Sequence, residues 1–84
     1  MLIIDSFGRN IFLDKELVGY IGENELFIRG KKFASITDDG IMSILNREIG
    51  YIDEDCSIII NGKEVGYIDG DNNFVFFKLP IKND

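Results

Sequence analysis

Histidine and tryptophan are absent from this 84-residue chain, and cysteine and proline occur once each. Without histidine there is no His-based catalytic triad and no His-containing zinc site. The lone Cys56 excludes an internal disulfide and leaves no thiolate cluster for a metal. It follows two acids, Glu54 and Asp55, surroundings that do not activate a thiolate nucleophile. No apolar run approaches the roughly 20 residues of a membrane-spanning helix. The start, Met1-Leu2-Ile3-Ile4-Asp5, lacks the basic residues and long apolar stretch of a signal peptide. A soluble, cytoplasmic protein is the expectation. Positive charge is also short: nine Lys and Arg face fifteen Asp and Glu, for a net charge of −6. An acidic chain repels a phosphate backbone, so neither nucleic acid nor a membrane is an expected partner.

Helix formers are scarce, whereas isoleucine and phenylalanine abound. β-Branched and aromatic side chains suit a half-buried pleated surface, so the composition points to an all-β fold. The chain repeats itself. Val18-Gly19-Tyr20-Ile21 recurs as Ile49-Gly50-Tyr51-Ile52 and as Val65-Gly66-Tyr67-Ile68, with a degenerate copy at Phe33-Ala34-Ser35-Ile36. The small residues Gly19, Ala34, Gly50 and Gly66 follow one another at steps of 15, 16 and 16 residues.

Each unit reads as an acidic turn, a short apolar strand, a second turn and the small-aromatic-Ile strand. Asn61-Gly62 between β-branched runs is a strong hairpin signal, because a type I′ turn needs positive φ at both central residues. Asp14-Lys15, Arg29-Gly30 and Asn46-Arg47 fill the matching slots. The pattern predicts strands near 10–13, 17–21, 25–28, 32–36, 41–44, 48–52, 57–60, 64–68 and 74–78, without room for a helix. Met1 to Ile4 reads as a tenth strand that pairs near Phe74 to Phe77 and closes the repeat. Leu2 stands where the other copies have Gly or Ala, which favours four hairpins with a closing terminal pair over strict five-fold repetition. The expected architecture is a single all-β domain over 1–84: a radial repeat of about four hairpins of 16 residues, closed by its N- and C-terminal strands.

The Gly-Tyr-Ile-Asp/Gly steps at 19–22, 50–53 and 66–69, together with the hairpin length, resemble the four-fold β-flower domains of bacteria. The resemblance spans nearly the whole chain and implies a fold of hairpin petals around an axis. It brings neither a reaction nor catalytic residues.

Alternation places Gly19, Gly50 and Gly66 on one face with Ile21, Ile52 and Ile68, and the tyrosines on the other. A glycine inside a strand signals close approach of a neighbouring backbone, so this column is expected to be crowded. Tyr20, Tyr51 and Tyr67, with Ser35 in the fourth slot, are the candidate ligand or interface residues. Phenols of this kind stack a sugar or a peptide, but they also serve as packing between hairpins. Ser35 breaks the symmetry and leaves one asymmetric notch. Asp69, Asp71 and Asn73 echo the first half of a calcium loop, yet Phe74 replaces its glycine and no Glu stands at position 12. Asp and Asn also suit tight turns for local reasons, so no metal or other cofactor is expected.

The expected role is a non-catalytic structural or protein-binding module. The alternative is a small-ligand module for a carbohydrate or peptide, using the tyrosine face or the acidic loops. The charges segregate by turn type. The hairpin turns gather eight basic residues against four acidic ones, and the other turns gather ten acidic residues against Arg9. A protein partner, or head-to-tail self-association sensitive to salt, is consistent with that polarity.

Overall fold

The computed structural model describes residues 9–79, which form nine strands and, among the described residues, no helix. They are β1 (Arg9–Leu13), β2 (Glu16–Gly22), β3 (Glu25–Ile28), β4 (Lys31–Ile36), β5 (Ile41–Ile44), β6 (Arg47–Ile52), β7 (Ser57–Ile60), β8 (Lys63–Ile68) and β9 (Phe74–Phe76). Each strand pairs with the next, and the meander closes into a barrel. With an odd number of strands the first and last run in the same direction, so the closing pair, β1 with β9, is parallel. Asp14 N–H donates to Phe76 O (3.0 Å) at one end of this seam, and Asn10 N–H donates to Asn73 Oδ1 (3.3 Å) at the other. The all-β hairpin repeat closed by its terminal strands is the architecture that the repeat predicts. The expected strand Met1 to Ile4 lies outside the described residues. Both edges of β9 are taken, by β8 and β1, so among the described residues the N-terminal partner of the closure is Ile11 to Leu13.

Four hairpins share one construction. In β1–β2, β3–β4, β5–β6 and β7–β8 the register slips once, beside Ile11, Leu26, Met42 and Ile58 respectively. The extra residue is Val18, Phe33, Ile49 or Val65, each just before the small residue of its copy. A bulge adds local twist, and four bulges at nearly equal spacing bend short strands around a narrow barrel. The turns follow the expected chemistry: Asn61 and Gly62 have φ of 53° and 79°, and Arg29 and Gly30 have 53° and 81°. One slot moves. The third hairpin turns on Leu45 and Asn46 (φ 53° and 65°), not Asn46-Arg47, and Arg47 begins β6. The spacing of 15 rather than 16 also has a physical source, because β2 and β3 are joined by the two-residue turn Glu23-Asn24.

Inward side chains fill the barrel. Ile11, Ile21, Leu26, Ile28, Ile36, Met42, Ile58, Phe74 and Phe76 are fully buried, and among the described residues no polar or charged one joins them. The small-residue column is as crowded as its pattern suggests. A Cβ at Gly19, Gly50 or Gly66 would lie closer than 3.0 Å to the carbonyl oxygen of Phe27, Ile59 or Val75 on the next strand. Tight cross-strand approach explains why three of the four copies carry glycine here.

Candidate functional site

The four hairpin turns sit at one end of the barrel and the three longer turns, with Glu23-Asn24, at the other, because antiparallel strands alternate direction. The hairpin-turn end holds Lys15, Arg29, Lys31, Arg47, Lys63 and Lys78 against four acidic residues, while Lys32 reaches along the wall to Glu25 (2.9 Å). Besides Glu25, the opposite end holds eight acidic residues. The barrel is therefore polarised along its axis.

The acidic turns are built by their own side chains. Asp53 Oδ1 accepts from Asp55 N–H and Ser57 N–H (both 2.9 Å), and Asp69 Oδ1 accepts from Asp71 N–H and Asn73 N–H (both 2.9 Å). Asn73 Nδ2 reaches the second oxygen of Asp69 at 3.5 Å, while its own Oδ1 is the acceptor that ties the turn to β1. Of the calcium candidates, Asp69 and Asn73 are thus bonded within the turn and across the closing seam. Among the described residues, no group of three or more Cys, Asp or Glu side chains is arranged to hold a metal ion.

The phenols form a belt rather than a cup. Tyr20, Tyr51 and Tyr67 are exposed on β2, β6 and β8, and Ser35 is half-buried on β4. They occupy every second strand, roughly 9–10 Å apart at the usual strand spacing, on a convex wall where side chains diverge. Tyr20 stacks on Phe27 of β3 (centroids 4.9 Å apart, planes 18° apart), and Tyr67 leans on Phe77 (6.0 Å). The structure does not bring the four residues together.

The asymmetry that matters lies at the seam between the strand of Ser35 and β5, and it arises from Ser35's neighbour Ala34. In three copies the strand ladder extends past the glycine: Arg29 N–H donates to Val18 O (2.8 Å), Asn61 N–H to Ile49 O (2.9 Å) and Phe77 N–H to Val65 O (2.8 Å). The equivalent bond, Leu45 N–H to Phe33 O, is missing among the described residues. Ala34 explains the difference. It carries the Cβ that the glycines lack, and the facing strand cannot approach as closely. The β4–β5 ladder accordingly stops at Ser35–Ser43, one step short of Ala34.

Parting the strands has a consequence for the side chains. Ile28, Ile60 and Phe76 are 1 %, 6 % and 0 % exposed, but their counterpart Ile44 is 37 % exposed. Beside it, Leu45 occupies the tip of the turn in the left-handed conformation and is 95 % exposed. A leucine is an uncommon occupant of this backbone region. Ile44, Leu45, Arg47 and Ile49 line an open groove of about 350 Å³. Sequence reasoning missed these four residues, although the signal was present in the departure of Ala34 from the glycine column.

The seam can be tested by restoring the repeat. Ala34→Gly is expected to let β4 and β5 pair one step further, so that Leu45 N–H gains Phe33 O. A net hydrogen bond is worth about 0.5–1.5 kcal/mol, which slows local exchange by about 2- to 10-fold. Amide hydrogen exchange at Leu45 reads this directly. An unchanged rate would mean that something other than the Ala34 methyl holds the seam open.

Comparison of the chain with protein-family models, with curated proteins and with solved structures gives no match.

Proposed function

We propose that this protein is a non-catalytic protein-binding module whose contact surface is the hairpin-turn end beside the β4–β5 seam. The observation that carries this reading is the groove at the break in the repeat that Ala34 makes. Ile44 is turned out where its counterparts Ile28, Ile60 and Phe76 are buried, and Leu45 beside it is exposed where its counterparts are Arg29, Asn61 and the exposed Phe77. An exposed apolar cluster rimmed by charge is the mark of an interaction surface. A small-ligand role has less support, since the barrel interior is filled and the phenols diverge on a convex wall. A place among the four-fold β-flower domains belongs to the same proposal, supported by four bulged hairpins of common design.

Photo-crosslinking in the native cell tests the reading. A photoreactive amino acid at position 45 should yield a discrete protein adduct, whereas the same group at Tyr67, on the outer wall of β8, should yield none. Adducts at position 67 with none at position 45 would move the contact surface to the tyrosine belt. Adducts at neither would overturn the protein-binding role.

A further inference from the structure

We propose that the groove at the β4–β5 seam takes an extended acidic–apolar peptide, with one large apolar side chain seated among Ile44, Leu45 and Ile49 and a carboxylate on Arg47. This inference rests on the protein-binding reading and gives the partner its chemistry. Three independent features converge on it. The lining is apolar on three of its four residues, and the open groove of about 350 Å³ has room for a large apolar side chain together with part of its own backbone. The fourth lining residue is cationic, and it lies at the end of the barrel where basic residues, apart from Lys32 paired with Glu25, outnumber acidic ones by six to four. The backbone completes the set. Leu45 N–H and Phe33 O, which pair in the other three copies, are left as a donor and an acceptor at the parted seam. An extended chain offers complementary backbone groups as well as a side chain for the groove, which is the logic of strand addition at an open edge.

A second copy of this protein satisfies only part of these demands. Its acidic end would meet Arg47, but the turns there, Glu23-Asn24, 37–40, 53–56 and 69–72, present no exposed large hydrophobic side chain. Among the described residues, that end offers no apolar side chain to fill the groove. The proposed partner carries its apolar residue and its carboxylates in one segment.

The probe is a labelled octapeptide, Ser-Asp-Glu-Leu-Phe-Glu-Asp-Ser, with two controls. One control replaces each acid by lysine, and the other replaces Leu and Phe by serine. Fluorescence anisotropy should show a dissociation constant of roughly 10–100 μM for the probe, as befits a single-side-chain seat with a large ordering cost. Both controls should bind at least about tenfold more weakly. Amide shifts in the protein should change at 33–35 and 43–49 and not along the tyrosine belt. Arg47→Glu should weaken the probe about 5- to 10-fold and abolish its salt dependence. Leu45→Asn places in the turn a residue that tolerates left-handed φ, so it folds, and it should also weaken binding about tenfold. Ala34→Gly should do the same by closing the seam. Equal affinity for all three peptides, or no amide shift at 1 mM probe, would overturn the proposal. Concentration-dependent shifts of 43–49 without peptide would overturn it in favour of a second copy. If the probe fails while position 45 still crosslinks to a protein, the acidic–apolar chemistry falls and the protein-binding reading stands.

Discussion

Gly50→Val and Gly66→Val are each expected to destabilise the domain by about 2–4 kcal/mol. The first contribution is steric. The new side chain begins on a Cβ that would overlap the carbonyl of Ile59 or Val75, and overpacking of this kind costs about 1–3 kcal/mol. The second is the ladder beyond the glycine. Forcing the strands apart removes the bond from Asn61 N–H to Ile49 O or from Phe77 N–H to Val65 O, worth about 0.5–1.5 kcal/mol net. A domain of this length has a total stability of roughly 4–13 kcal/mol, so one valine consumes a large share of it. The melting temperature should fall by about 10–30 °C, at 4–8 °C per kcal/mol for a chain this small. Urea unfolding at equilibrium checks the number, with the midpoint falling and the slope unchanged. Gly70→Ala is the control: a Cβ there meets nothing within 4 Å, and its stability should be unchanged or slightly higher. If valine is tolerated at both column positions, close approach of the strands is not what the glycines provide.

Ala34 is the natural version of that experiment in its mildest form, and it shows which parts of the molecule can be read from sequence. Strand positions, the crowding of the glycine column and the closure of the repeat all follow from local rules applied four times over. Asn61-Gly62 needs a hairpin, alternation sets the faces, and a glycine amid β-branched residues needs a close neighbour. The bulges follow less directly. Their extra residues, Val18, Phe33, Ile49 and Val65, are ordinary strand formers, and only the pairing register reveals that each is out of step. The third turn was misplaced by one residue because Leu45 has no turn propensity. It takes left-handed φ because the register of β5 against β6 puts it there. The groove was hidden for a related reason. Ala34 reads as a conservative member of a small-residue column, but the difference of one methyl acts on the opposite strand. Its effect appears ten residues away, at Ile44, through a pairing that a linear reading does not contain. The tyrosines illustrate the converse. Their recurrence is conspicuous in the sequence, yet curvature of the barrel wall sends them in different directions.

Replacing Phe76 with alanine is expected to cost about 3–5 kcal/mol, the range for deleting a fully buried aromatic side chain. The loss should appear first at the closing seam. Every other neighbouring pair in the barrel is antiparallel, and eight of the nine strands belong to hairpins with short turns that keep their partners close. β9 has no such tie to β1. It is three residues long and lies between β8 and β1, and it is held to β1 by a three-residue parallel ladder, by packing of Phe74 and Phe76 into the core and by the bonds from Asp14 N–H to Phe76 O and from Asn10 N–H to Asn73 Oδ1. Truncating Phe76 leaves a cavity at one end of that short strand and frees its backbone to move. Amide exchange at Asp14 should therefore accelerate by more than exchange at Arg29 or Asn61, whose bonds close seams between sequence-adjacent strands. The rings of Phe74 and Phe76 meet edge-on with centroids 6.4 Å apart, so their truncations are coupled rather than additive. Even with coupling, the double variant loses an amount comparable with the roughly 4–13 kcal/mol available to the whole domain. It should bind a hydrophobic dye and lose cooperative melting, while each single variant keeps a β-type far-UV spectrum and melts at a lower temperature. Uniform acceleration of exchange at Asp14, Arg29 and Asn61 in Phe76→Ala would show that the barrel opens as one unit. In that event the parallel seam is as strong as the hairpins it joins.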